Sequence, residues 1–372
     1  MRGAESVSSY CSSYAYAIAL PAKDEEERIV DCLEACAAAM TLWPEPGVIV
    51  LVVNNSRDRT GARAQAWAHR SRTPMLMQTV HFPENMAHAG SARRAALDRA
   101  RQLVGAEGYL LTTDADSRPD VNWVSANLEA LVLGTAALVC GAFDVDADDY
   151  ARLPVQVRER ALIEDRYRQT ALELDRLVDP NPFNPWPLHG RASGASLAMS
   201  ATAYDLIGGA PVVPCAEDRA LVRQFMLHDL PILYSDAARV TTSGRLNGRA
   251  PGGMADTIAS RVAGATYVCD ETVEAADMVW ARAHLRARLR AAFQEPALLA
   301  ATLADIGLQR PPETVTSFGA FWAVVESTSP LLKRRRLLWE EMLEQLPRLE
   351  ALRDKAKHRA ATPTFDSMEL VA

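Results

Sequence analysis

Leu110-Leu111-Thr112-Thr113-Asp114-Ala115-Asp116 runs from an apolar stretch straight into two carboxylates set two positions apart. Residues 109–113 read as a buried strand, and the carboxylates lie just past its carboxyl end. The same alternation of strand and helix extends on both sides. Residues 14–20 form a short apolar run that stops at Pro21. Asp24-Glu25-Glu26-Glu27 then opens a helix, with Ile29, Leu33, Cys36 and Met40 at helical spacing. Acidic residues in a first turn complement the helix dipole. Residues 48–53 read as a second buried strand, ended by Asn54-Asn55-Ser56 and followed by a helix from about Thr60. A third strand is expected at 75–80, helices at 89–104 and 121–133, and a further strand at 136–143.

Buried strands alternating with helices predict an α/β fold built on a doubly wound, mostly parallel sheet. In such sheets ligands bind at the carboxyl ends of the strands. The informative polar residues are therefore Lys23-Asp24-Glu25, Asn54-Asn55 and Asp114-Ala115-Asp116. Beyond them, residues 150–178 read as a charged helix, and 179–186, with Pro180, Pro182 and Pro185, as a loop. Residues 196–208 suggest strand then helix, 216–228 a helix, and 238–241 a strand leading into a Gly-rich, Arg-bearing loop at 241–253. From about 256 to 352 the pattern is mainly helical, broken by Pro296, Pro311-Pro312 and Pro330. The expected organisation is a flexible segment 1–13, a main domain 14–255 with halves 14–145 and 146–255, and a mainly helical extension 256–372 whose tail after Ala360 frays.

Composition narrows the classes. The chain has 372 residues, 49% hydrophobic and 23% charged, enough to bury a full core. Its formal net charge of -7 lacks the basic balance of a nucleic-acid binder. Six cysteines without a CxxC pair read as reduced, buried thiols. Residues 1–13 have no apolar core of a secretory signal, and the apolar run 131–143 is short of the roughly 20 residues of a spanning helix. A cytoplasmic protein is expected. Lys333-Arg334-Arg335-Arg336 before Leu337-Leu338-Trp339 would be its contact with the inner face of a membrane, the plainer reading being a solvated turn ahead of an amphipathic helix.

The two carboxylates of Asp114 and Asp116 suit a hard cation. Mg²⁺ and Mn²⁺ want oxygen ligands, and Mg²⁺ typically combines one or two carboxylates with substrate phosphates. On the tripeptide alone, a solvated turn explains the aspartates as well; placement at a strand end favours a ligand cleft.

Taken in order, the motifs resemble those of family 2 glycosyltransferases with a GT-A fold. Ala19-Leu20-Pro21-Ala22-Lys23-Asp24-Glu25-Glu26 resembles the family's opening strand and its acidic end. Val52-Val53-Asn54-Asn55-Ser56-Arg57-Asp58-Arg59-Thr60 resembles the second-strand motif ending Asp-x-Thr. Glu84-Asn85-Met86 through Ala92-Arg93-Arg94 resembles the segment before the metal strand, Asp114-Ala115-Asp116 the metal motif, and Glu217-Asp218 the acidic pair carrying the catalytic base. The resemblance spans roughly residues 14–255.

It implies that Pro21, Asp24 and Glu25 line the base and ribose pocket. Asn54 stands where the family usually pairs an Asp with uracil, and Asp24 replaces the usual Asn, which leaves the base open with a UDP-sugar as the first expectation. Arg93 would contact donor phosphates or the base, its alternative being a solvated helix face. Asp218, with Glu217, would deprotonate the acceptor hydroxyl of an inverting enzyme; the alternative is dipole chemistry at a helix start. Arg245 and Arg249 would clamp phosphate from a lid. Many family members add a His there as a metal ligand. None lies between His228 and His284 here, so the resemblance implies a Mg²⁺ or Mn²⁺ resting on Asp116 and the diphosphate, with Asp114 nearer the ribose. Trp186, His189, Arg191 and Ser193-Gly194 are candidates for an acceptor surface.

The implied partners are a nucleoside-diphosphate sugar and a hydroxyl acceptor: a small molecule, lipid or glycan. The C-terminal helices suit either a homodimer or a cover over the acceptor site. One alternative is a sugar-phosphate nucleotidyltransferase, disfavoured because Pro21-Ala22-Lys23-Asp24 lacks glycine. The other is a non-catalytic nucleotide-binding protein, disfavoured by the joint presence of Asp114, Asp116, Glu217 and Asp218.

Overall fold

The computed structural model describes residues 14–246, 248, 254–263, 267–308 and 315–361. Arg249, the segment 1–13 and the tail from 362 lie outside the described residues. Two compact units emerge. The first comprises Met1–Asp146, Arg191–Phe225 and Leu230–Gly253; the second comprises Ala147–Gly190, Met226–Asp229 and Met254–Ala372.

The first unit is organised on one eight-stranded sheet. Its strands are β1 (Tyr14–Ala22), β2 (Gly47–Asn54), β3 (Met75–Val80), β4 (Val104–Thr112), β5 (Ser117–Pro119), β6 (Leu138–Val145), β7 (Leu197–Ser200) and β8 (Ile232–Thr242). Their order is β3-β2-β1-β4-β7-β6-β8-β5. β1–β2, β1–β4, β2–β3 and β6–β8 pair parallel, while β4–β7, β6–β7 and β5–β8 pair antiparallel. The sheet is thus mixed and mostly parallel, as the strand and helix alternation predicts.

Period-two alternation explains why both faces are covered. Tyr16, Ile18 and Leu20 of β1 join Ile49 and Leu51 of β2 in a core with Ile29, Leu33 and Cys36 of the helix Ile29–Met40. Ala17 and Ala19 join Val48, Val50 and Val52 on the other face, against Ala96, Leu97 and Ala100 of the helix Ala89–Arg101. Every residue of β2 is buried, as expected of a strand sandwiched between helix layers. β3, at the sheet edge, is only half-buried.

Strand order places the cleft. β1 is followed outward by β2 and β3 on one side, and β4 lies on its other side. The direction of winding reverses between β1 and β4, and a crevice opens beyond the carboxyl ends of strands at such a point. The ends of these two strands carry Pro21 to Glu25 and Asp114 to Asp116.

The second unit is helical. Tyr167 and Leu174 of the helix Val155–Val178 pack with Met342, Leu349 and Leu352 of the helix Trp339–Ala361. A further cluster joins Leu289, Phe318, Phe321 and Trp322. Within this unit Glu164 is buried and accepts from Tyr267 Oη at 2.5 Å, Asp270 N at 2.6 Å and Arg261 at 2.9 Å. The basic run is exposed from Lys333 to Arg336; Arg335 pairs with Glu341 at 2.8 Å, Arg336 donates to Cys269 O at 2.7 Å, and Leu337 and Trp339 are buried. Among the described residues no helix is long and apolar enough to cross a membrane.

Candidate active site

The turn after β1 is stitched to the turn after β2. Asp24 sits in the left-handed region, with φ of 54°. Its N–H donates to Ser56 Oγ at 3.0 Å, and its Oδ1 accepts from Arg57 N at 2.7 Å. Glu25 N donates to Thr60 Oγ1 at 2.7 Å and Glu26 N to Asp58 Oδ2 at 2.9 Å. Asp58 also accepts at 2.9 Å from the N–H of Thr60, the first residue of the helix Thr60–Arg70. The Asp-x-Thr spacing therefore serves two loops at once. Asn55, also at positive φ, exchanges a pair of hydrogen bonds with the backbone of Phe82. Asn54 is buried at the end of β2. A cavity of about 320 Å³ lies over these turns, lined by Asp24, Glu25, Arg28, Arg57, Asp58 and Arg245 among others.

β4 ends at Thr112, and a turn closed by Ser117 N donating to Asp114 O at 3.0 Å carries Asp114, Ala115 and Asp116. The Cys32 thiol donates to Asp114 O at 3.4 Å from beneath. β5 then pairs with the end of β8, Ser117 opposite Thr242, and their hydroxyls bond at 2.9 Å. That pairing delivers the segment after β8 to Asp114-Ala115-Asp116. Arg245 Nη1 donates to Glu25 Oε2 at 2.7 Å, Nη2 donates to Glu25 Oε1, and Nη2 lies 3.0 Å from Asp116 Oδ2.

Glu25, Asp116 and Arg245 thus form one group. Burial pushes the Asp116 carboxyl up to about 7, with the negative charge of Asp114 adding to the rise and Arg245 opposing it.

Arg93 is the centre of a second group. Its side chain is 4% exposed, so the helix face it occupies is interior. Nη1 donates to Thr112 Oγ1 at 2.9 Å and to Gly194 O at 3.0 Å. Nη2 donates to Asp114 Oδ1 at 2.7 Å and Glu217 Oε1 at 3.1 Å, and Nε to Glu217 Oε1 at 3.2 Å. Burial works against the guanidinium charge, but Asp114 and Glu217 more than offset it and hold the proton.

Glu217 and Asp218 open the helix Glu217–Leu227 directly after Ala216, which has φ of 54°. Asp218 Oδ2 accepts from Gly194 N at 3.0 Å, and Oδ1 accepts from Arg219 N at 2.7 Å. Burial, then the charge of Glu217, raises the Asp218 pKa above its ordinary value, while Arg93 and the two backbone donors pull the other way.

Of the residues singled out in the sequence, Glu25, Arg93, Asp114, Asp116, Glu217, Asp218 and Arg245 fall into these two groups, joined through Asp114 and Asp116. Pro21 is half-buried at the end of β1, and Ala115 is buried between the aspartates. Asp24 spends an oxygen on Arg57 N and so shapes the turn. Trp186, 37% exposed, and His189 belong to the second unit, whereas Arg191 and Gly194 belong to the first. Sequence reasoning missed the roles of Thr112, Ser117 and Thr242. Their signal was weak: small polar residues at the ends of strands, where turn chemistry is the ordinary explanation.

The donor set is hard oxygen, which fits Mg²⁺ or Mn²⁺. Among the described residues no group of three or more His, Cys, Asp or Glu could hold a metal ion. Asp114 and Asp116 alone would leave most of such an ion's ligands to come from elsewhere.

Residues 17–184 match the model of Glycosyl transferase family 2. Among solved structures, the chain is similar to the mannosyltransferase PcManGT from Pyrobaculum calidifontis, in complex with GDP-Man and Mn²⁺, at 14% identity and a TM-score of 0.47 over 95% of this chain and 88% of that one. It is similar to S. aureus TarS 1–349 in complex with UDP-GlcNAc at 14% identity and a TM-score of 0.44, over 92% of this chain and 91% of that one. Glucosyl-3-phosphoglycerate synthase from Mycobacterium tuberculosis, in complex with Mn²⁺, UDP-Glc and phosphoglyceric acid, aligns at 16% identity and a TM-score of 0.39 over 68% of this chain and 83% of that one. No curated protein matches the chain.

Proposed function

We infer the reaction from the family: residues 17–184 belong to glycosyl transferase family 2, and the chain is a glycosyltransferase. The finer reading is transfer from a nucleoside-diphosphate sugar, a UDP-sugar first, to a hydroxyl acceptor with inversion. The observation that supports it is the meeting of Glu25, Asp116 and Arg245 at the reversal between β1 and β4, the position where a doubly wound sheet takes its ligand.

Asp116, with Asp114 as the second oxygen donor, would hold Mg²⁺ or Mn²⁺. When bound, such an ion neutralises charge developing on the leaving diphosphate. Arg245 is paired with Glu25 and lies beside Asp116, but is 20% exposed where Arg93 is 4%; a diphosphate would draw this fork from Glu25, and a guanidinium can pair two phosphate oxygens at once. Arg249 would add to that clamp. Pro21, Asp24, Glu25 and Asn54 surround the base and ribose.

Asp218 is the general base. Its carboxylate takes the acceptor hydroxyl's proton as the oxygen attacks the anomeric carbon and the bond to the diphosphate breaks. Gly194 N and Arg219 N each hold one of its oxygens, which fixes the carboxylate while leaving lone pairs for the proton. Glu217 is occupied by Arg93 and supports Asp218 through its charge.

Thermal melts with UDP or GDP, with and without Mn²⁺, test the donor site. A nucleotide that binds only the folded chain stabilises it by about 2.7 kcal/mol at 100 times its Kd. A shift that needs nucleotide and Mn²⁺ together, and that Asp116→Ala removes, is expected. No shift with any nucleotide, or shifts that Asp116→Ala leaves intact, would sink the metal–diphosphate reading. Nucleotide binding without consumption of any nucleotide sugar would favour a binding protein.

A further inference from the structure

Arg93 uses all three guanidinium nitrogens on protein partners, and those partners come from three separate stretches of chain. Thr112 and Asp114 belong to the end of β4, Gly194 to the segment before β7, and Glu217 to the start of the helix Glu217–Leu227. In sequence the bonds to Thr112, Asp114, Gly194 and Glu217 span 19, 21, 101 and 124 residues respectively. A phosphate reaching this buried fork would have to displace a carboxylate, and charge-assisted bonds of this kind are among the strong ones.

Gly194 extends the same unit. Its carbonyl accepts from Arg93, and its N–H donates to Asp218 Oδ2 at 3.0 Å. A Cβ at this position would meet Arg93 Nη2 at 2.1 Å, so glycine is what lets the guanidinium lie this close to the backbone.

We propose that Arg93, seated on Gly194, is a positioning residue that fixes Asp114 at the donor end and the Glu217–Asp218 pair at the acceptor end relative to one another. It acts through those carboxylates and does not itself bind the donor. Inverting glycosyl transfer needs the base and the leaving group in line on opposite sides of one carbon, and a shared guanidinium sets both from a single point. Burial against two carboxylates supports this role, because the charge is already matched without a substrate. The proposal rests on the glycosyltransferase reading for its kinetic consequence but not for its structural one.

Arg93→Lys keeps the charge and loses the fork; Arg93→Gln loses both. The full chain carrying each substitution is compared with the unaltered chain in two ways. The first is turnover of a nucleotide sugar with Mn²⁺. Here kcat falls by about 100-fold in Arg93→Gln, the order that a misplacement of about an ångström costs, while donor KM stays within about threefold, and Arg93→Lys recovers part of the loss. Gly194→Ala reproduces the Arg93→Gln pattern from the other side of the contact. The second is backbone hydrogen exchange: residues 112–117 and 191–219 gain exchange together, while the helix Ile29–Met40 does not change.

A donor KM that rises with kcat preserved would show a donor contact and overturn the proposal. So would unchanged turnover, or faster exchange in only one of the two segments. If Arg93→Gln does not fold, Arg93→Lys carries both measurements. If the unaltered chain consumes no nucleotide sugar, the glycosyltransferase reading fails, and the joint exchange response alone decides the positioning role.

Discussion

Asp116 has a carboxyl pushed up to about 7 from an ordinary value of 3.8, first by burial and then by Asp114. The folded chain therefore binds this proton more tightly than the unfolded chain. The group's contribution favours folding below about pH 4 and turns against it as pH rises toward about 7. In the presence of a chelator, Asp116→Asn should raise the melting temperature at pH 8, with a gain of about 2 kcal/mol from removing a disfavoured buried charge. The gain should shrink as the melts are repeated toward pH 4. A variant that is less stable at every pH would contradict the sign. Asp218 is raised too, by burial and by Glu217. A base must be ionised to take a proton, so kcat/KM should fall on the acid side at a pH above the usual carboxylate range. Asp218→Asn should lower kcat by about 100-fold or more, the contribution of a general base, with the nucleotide-induced melting shift retained. Loss of that shift alongside activity would instead place Asp218 at the donor.

Elements decide how these side chains reach one another. The helix Ala89–Arg101 seats Arg93 because its first turn lies close to another backbone: a Cβ on Gly90 would meet Val213 O at 2.2 Å. Backbone cannot step aside as a flexible side chain can. Gly90→Ala should cost about 1–3 kcal/mol, the usual range for overpacking, measured by urea denaturation. β5 has three residues and ends in Pro119, too short for a period of two to show and at the sheet edge, where proline is tolerated. It was not expected from the sequence, yet its pairing with β8 puts Arg245 beside Asp116. Removing the Ser117 Oγ to Thr242 Oγ1 bond with Ser117→Ala should weaken nucleotide-dependent stabilisation through Arg245, by about 1 kcal/mol for one buried hydrogen bond. An unchanged melting shift with saturating nucleotide and Mn²⁺ would show that Arg245 needs no such support.

At the scale of the molecule, the proposed donor site is a property of sheet order. Four segments separated by up to 220 residues in sequence meet at the reversal between β1 and β4. Chelation of divalent ions should therefore abolish turnover and nucleotide-dependent stabilisation together, and Mn²⁺ should restore both; turnover that persists in chelator would remove the ion from the reaction. Much of this framework was legible beforehand. Runs such as residues 48–53 are apolar throughout because β2 is covered on both faces, and that burial is written in composition. Strand ends followed by Asp24-Glu25 and Asp114-Ala115-Asp116 marked the cleft, since a parallel sheet gathers its carboxyl ends at one edge. The sequence by itself thus determined the alternating elements, the family motifs and the residues to watch. Tertiary structure alone decided their partners: Arg93 buried between Asp114 and Glu217, and Arg245 across Glu25 and Asp116. The physical reason is range. Helical and strand periodicities encode contacts within a few residues, whereas these ion pairs close over 21 to 220 residues and depend on which strands lie side by side.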